Sequence, residues 1–129
     1  MKKLTILLFS ILISFNSYGE WTKSTADSSG ETTYINISSI KKQDGYSYWW
    51  TLADYPKPDS YGDMSSERYL QVDCALIRYK VLSWSFYKKN MGTGSFEIVP
   101  TSSIPTEWQY SRPNSVMADA IELGCSYTK

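Results

Sequence analysis

The chain has 129 residues, with 13 basic residues balancing 13 acidic ones, two cysteines and no histidine. Without histidine, neither a Ser-His nor a Cys-His catalytic pairing can form. The basic residues are scattered (Lys41-Lys42, Arg78 and Lys80, Lys88-Lys89) and offset by acids, unlike the concentrated basic face of a nucleic-acid binder.

Met1-Lys2-Lys3 is a short positive segment, and Leu4 to Phe15 is an apolar stretch of twelve residues. Ser17 and Gly19 then stand at the −3 and −1 positions before Glu20. This is the layout of a secretory signal peptide at 1–19, cleaved between Gly19 and Glu20. A bilayer-spanning helix needs about 20 apolar residues, more than are present here. Cleavage leaves 110 residues (20–129), the size of one domain, with 11 basic against 13 acidic groups. The leader contains no cysteine, so the expectation is an exported protein, periplasmic or at the cell surface, that is not a lipoprotein.

The mature segment opens with a candidate strand, Trp21 to Ala26. A turn cluster, Asp27-Ser28-Ser29-Gly30, follows, and Thr32 to Ile37 then alternates β-branched and aromatic residues, which reads as a hairpin. Ser38 to Ile40 is long enough for one helical turn only, and Asp44-Gly45 is a hairpin dipeptide. Tyr46 to Asp54 carries bulky residues at both parities, the mark of a central strand. Two prolines and Gly62 make Tyr55 to Gly62 a loop.

Ser65 to Cys74 resumes alternation, with Leu70, Val72 and Cys74 sharing a face. Leu76 to Lys88 changes phase partway: Ile77, Tyr79 and Val81 share one parity, and Leu82, Trp84 and Phe86 the other. A β-bulge near Val81-Leu82 reconciles them. Asn90 to Gly94 is a turn and Ser95 to Val99 a short strand, while the three prolines between Pro100 and Pro113 leave that stretch a connection. Asn114 to Leu123 has a helical apolar stripe (Val116, Met117, Ala120, Ile121, Leu123), with Asn114 or Ser115 as cap and Gly124 as stop. The expected fold is α+β: about six antiparallel strands with one C-terminal helix packed on one face.

An exported domain with only Cys74 and Cys125 has one intramolecular pairing available, and a disulfide is the expected use. Closing a loop of about fifty residues restricts the unfolded chain by about 4 kcal/mol in the entropy treatment. No cofactor or metal motif is present. Gly92-Thr93-Gly94 lacks the further glycine and lysine of a phosphate-binding loop. Glu67 and Asp73 share a strand face roughly 20 Å apart, too far for a carboxylate dyad.

Aromatic residues are in excess, at 17 of the 110 mature positions. Trp49, Trp50, Trp84 and Phe86 read as core. Tyrosine is favoured at protein interfaces, and Tyr55, Lys57 and Tyr61 in the proline loop form the candidate ligand-binding surface.

Several stretches in order also resemble the surface-adhesin protein E family. They are Trp21, Tyr34-Ile35-Asn36, Ser39-Ile40, Trp50 to Tyr55, Ser65-Ser66, Val72-Asp73-Cys74, Arg78 to Leu82, Met91 to Gly94, Trp108, Pro113 to Val116 and Cys125. The resemblance spans nearly all of 20–126. It implies a six-stranded antiparallel sheet, a C-terminal helix and a strand-to-helix disulfide. It also implies a non-enzymatic role, binding host extracellular-matrix proteins at the bacterial surface, and a capacity to form homodimers. The chain departs from the family in lacking a lipid-accepting cysteine. It also has Ser60-Tyr61 where the family's matrix-binding segment carries a basic pair. The expected function is therefore an exported protein-binding module, with a periplasmic accessory or inhibitor of another envelope protein as the alternative. Mass spectrometry of the exported protein is expected to find Glu20 at its N-terminus and a mass two hydrogens below that of the reduced chain.

Overall fold

The computed structural model describes residues 21–128; the leader and the Gly19–Glu20 cleavage site lie outside them. In chain order the strands are β1 (Trp21–Ala26), β2 (Thr32–Asn36), β3 (Lys41–Gln43), β4 (Tyr46–Asp54), β5 (Ser65–Asp73), β6 (Arg78–Lys89), β7 (Thr93–Ile98) and β8 (Gln109–Tyr110). Among the described residues the one α-helix, α1, spans Val116–Ser126. All strands pair antiparallel in one eight-stranded sheet. Its main path is β1-β2-β4-β5-β6-β7, the six strands expected from periodicity.

The two extra strands extend edges that the main path leaves unfilled. β2 pairs with the later half of β4 and β3 with its first residues, so both lie along one edge of β4. A 3-10 turn at Ile37–Ser39 separates them. Where the ladder is interrupted, Ser39 Oγ accepts the Trp50 N–H at 3.0 Å and donates to the Asn36 carbonyl at 2.7 Å. The side chain thus supplies what the missing backbone would have. β8 adds to the first residues of β6, along the edge whose far end holds β7.

The expected bulge is present. Tyr69 pairs with Ser83 but Leu70 pairs with Val81, so Leu82 is the extra residue, and it stands 41 % exposed. The bulge returns Trp84 and Phe86 to the face that Tyr79 and Val81 occupy, opposite Arg68 and Ser66.

That face carries the core: Ile35, Trp49, Leu70 and Val72 from the sheet against Ala120, Ile121 and Cys125 from α1. Ser115 caps the helix by accepting the Ala118 N–H at 3.1 Å. The helix does not stop at Gly124 as its sequence predicts; it continues through Cys125 to Ser126. A Cβ on Gly124 would lie 2.4 Å from Trp49 Cζ2. The glycine is there to admit the indole against the helix backbone, not to end the helix. The disulfide joins Cys74, at the end of β5, to Cys125, the residue after this contact. Of the four rings read as core, only Trp49 is fully buried; Trp50, Trp84 and Phe86 are half-buried.

Gly124→Ala is expected to destabilise the fold by about 3 kcal/mol, at the upper end of ordinary overpacking costs, because both partners are held in place. Urea unfolding of the oxidised protein measures it; a loss within about 0.5 kcal/mol, as for a neutral surface change, would show that α1 can shift off Trp49.

Candidate interaction surface

Alternation along β4, β5 and β6 sends every second residue to the sheet face that α1 does not cover. That face carries Tyr34, Tyr46, Tyr48, Trp50 and Tyr69, all half-buried. Trp50 and Tyr69 ring centroids are 5.0 Å apart, and Tyr48 and Tyr69 6.3 Å. Each end of the face is roofed. At one end the chain after β7 crosses Gln71 and Lys80, burying Ile104. Trp108 then packs 5.3 Å from Tyr46. Arg78 and Lys80 lie over the Trp108 ring at 4.3 and 4.7 Å, and Lys41 over Tyr48 at 5.8 Å.

Arg78 is itself held by Asp73 at 2.9 Å. Burial pushes the Asp73 carboxyl up, but the hydrogen bonds from Arg78 and from the Leu76 and Ala75 N–H groups outweigh it and hold the group below its ordinary range.

At the other end the β6–β7 turn folds over Leu52. Met91 N–H donates to Asp54 Oδ1 at 2.7 Å and Gly92 N–H to Ser65 Oγ at 2.9 Å. Met91 and Gly92 both have positive φ (58° and 67°), and a Cβ on Gly92 would meet Glu67 Oε1 at 2.8 Å. Beside this turn Tyr87 donates to Glu67 Oε2 at 2.8 Å. Burial pushes the Glu67 carboxyl up, against the pull of that hydrogen bond. Burial first, and then the bond to Glu67, push the Tyr87 phenol up to about 12.

β7 ends the strand order, so its outer ladder is open among the described residues, and it exposes Phe96 (55 %) and Ile98 (66 %).

The proline-loop residues are divided between two places. Tyr55 and Lys57 line a cleft of about 400 Å³ with Ser29, Glu31, Pro56 and Asp59. The loop is shaped by Asp59, whose Oδ1 accepts the Tyr61 and Asp63 N–H groups, both at 2.9 Å. Tyr55 is anchored by its hydroxyl, which donates to Ser66 Oγ at 2.9 Å. Tyr61 is 82 % exposed and lines a separate cavity with Phe86, Lys88 and Glu97. Alternation puts Tyr46, Tyr48 and Trp50 on one strand face, but the contact surface expected from the sequence is the proline loop, not this face. Among the described residues no three His, Cys, Asp or Glu are placed to hold a metal, and no helix is long and apolar enough to cross a membrane.

Strand order, helix and bridge together define a disulfide-clamped antiparallel α+β domain. The model of the family described as surface-adhesin protein E matches residues 21–126, and the chain belongs to that family. Crystal form II of Haemophilus influenzae protein E is similar in fold, with a TM-score of 0.65 at 16 % identity, over 85 % of this chain and 91 % of that one. A second structure of Haemophilus influenzae protein E gives 0.57 at 16 % identity, covering 83 % and 84 %. Protein E from non-typeable Haemophilus influenzae gives 0.52 at 16 % identity, covering 83 % and 76 %. No curated protein sequence matches the chain.

Tyr87 has a folded pKa above its unfolded value near 10, so the stability it contributes is complete below about pH 10 and is lost as pH rises through about 12. Tyr87→Phe is expected to abolish that alkaline component and, by orphaning half-buried Glu67, to cost about 1–3 kcal/mol at pH 7. Urea midpoints measured from pH 7 to 12 check both; parallel pH profiles for the two proteins would contradict the assignment.

Proposed function

We propose that the mature domain is an exported, non-enzymatic protein-binding module of the cell surface that contacts host extracellular-matrix proteins. One observation carries the reading: a stripe of rings, Tyr48, Trp50 and Tyr69, on the sheet face opposite the helix and between its two roofed ends. Aromatic residues and arginine are the types enriched where proteins bind one another, and half-buried rings held by their neighbours lose little freedom on docking. The cations at Lys41, Arg78 and Lys80 favour an acidic partner surface. Export rests on the leader read at 1–19.

A second reading has a specific observation behind it. Both cysteines of the sequence are consumed by the Cys74–Cys125 bridge, leaving none to carry a lipid. A domain without that anchor fits a periplasmic accessory or inhibitor of another envelope protein, bound through the same ring stripe.

Surface plasmon resonance against immobilised matrix proteins, together with cell fractionation, separates the two. Exposure on intact cells and saturable matrix binding support the first reading. A soluble periplasmic pool with no matrix binding supports the second. In either setting Trp50→Ala and Tyr48→Ala are each expected to weaken the partner by about 2 kcal/mol, roughly thirtyfold. Unchanged affinity in both variants would remove the ring stripe from the contact.

A further inference from the structure

On the helix-covered face, away from the ring stripe, a cleft of about 260 Å³ lies between the sheet and the first turn of α1. Its walls include Glu31, Thr33, Tyr55, Ser66, Arg68 and Trp84, with Val116 and Met117 from the helix. Arg68 reaches it because it shares strand parity with Leu70, whose side chain is in the core.

The guanidinium has five N–H donors. Its recorded contacts are the Trp84 ring at 5.6 Å and Met117 Sδ at 3.7 Å. A thioether is a weak acceptor. The ion pairs among the described residues are Arg78–Asp73 and Lys88–Asp63, so Arg68 has no carboxylate partner there. Trp84 lines the same wall, and its Nε1 is buried without a hydrogen-bond partner. The positive end of the α1 dipole abuts the cleft as well. An unpaired guanidinium with unspent donors, beside a helix N-terminus, asks for an anion.

Glu31 restricts which anion. It lines the same cleft but does not reach ion-pair distance of Arg68, although the two feel each other's charge. Burial, and then the charge of Asp27, push its carboxyl up, while Arg68 draws it down. A simple carboxylate at Arg68 would face this second carboxylate across a small space; a ligand that also carries an ammonium would satisfy both walls.

We propose that this cleft binds a small zwitterion, its carboxylate on Arg68 and the Ser66 hydroxyl, which the Tyr55 hydroxyl holds in place, and its ammonium on Glu31. The ligand class is a free amino acid or a short peptide. The volume, just under the ~300 Å³ at which ordinary ligand pockets begin, limits the inner site to a residue or so. The outer cleft of about 400 Å³ shares Glu31 and Tyr55 as walls and continues toward Lys57, giving a longer ligand room to extend. This site is independent of the ring stripe and of the matrix-binding reading.

The test is calorimetric and NMR titration of the folded, oxidised domain with L-alanine, L-alanyl-L-alanine and acetate. Saturable binding of alanine or dialanine, at least tenfold tighter than acetate, is expected, with the Trp84 indole N–H resonance moving as the site fills. Tighter binding of the dipeptide places the ligand across both clefts; tighter binding of alanine confines it to the inner one, and either result supports the site. Arg68→Gln should lower affinity at least tenfold with the urea midpoint retained, and Glu31→Gln should bring acetate level with alanine. If Arg68→Gln fails to fold, Tyr55→Phe, which keeps the ring, should still weaken binding several-fold. No saturable response to any probe, acetate binding as tightly as alanine in the unmodified protein, or binding unchanged in the folded Arg68 variant would each overturn the proposal.

Discussion

The contact between Gly124 and the Trp49 indole sets the distance of α1 from the sheet. Nothing larger than a hydrogen fits on the helix at that point, because the ring atoms lie where a Cβ would be. The next residue, Cys125, is bridged to the end of β5. One helical turn is therefore fixed twice, sterically by the tryptophan and covalently by the sulfur. Ile35, Leu70, Val72 and Ile121 close around that turn, so the helix has one axial position and one rotation in which its apolar residues are buried.

Because the helix is committed to one face, the other must manage its rings without a covering layer. It does so by roofing the two ends and packing the middle laterally. The β6–β7 turn closes over Leu52 and Ser65, and the connection through Ile104 and Trp108 closes over Gln71 and Lys80. Between them the rings of Tyr48, Trp50 and Tyr69 support one another. A surface of this kind is rigid and partly apolar while remaining open to a partner. The bulge at Leu82 serves the opposite face: without the extra residue, Trp84 and Phe86 would turn away from the helix side and the Arg68 cleft would lose a wall.

Strand existence and class were legible from alternation and from turn residues, as in β2, β4 and the Asp44-Gly45 hairpin. The short strands β3 and β8 were not, since three exposed residues and two have no periodicity to read. The proline-loop site was half legible: Tyr55 and Lys57 do share a cleft, but Tyr61 turns to another cavity because Asp59 coils the loop between them. Arg68 carried no signal in one dimension. It is a lone cation in an alternating strand, and its lack of a partner is a fact of packing.

Sequence alone determined the order of the six main strands and the helix, the single possible cysteine pairing and the need for a bulge, because each follows from local periodicity or from counting. Tertiary structure decided the meaning of Gly124, which reads as a helix stop and acts as a slot for an indole 75 residues earlier in the chain. It also decided which rings are covered. Parity assigns a residue to one side of a sheet, but only the docking of the helix determines which side becomes interior.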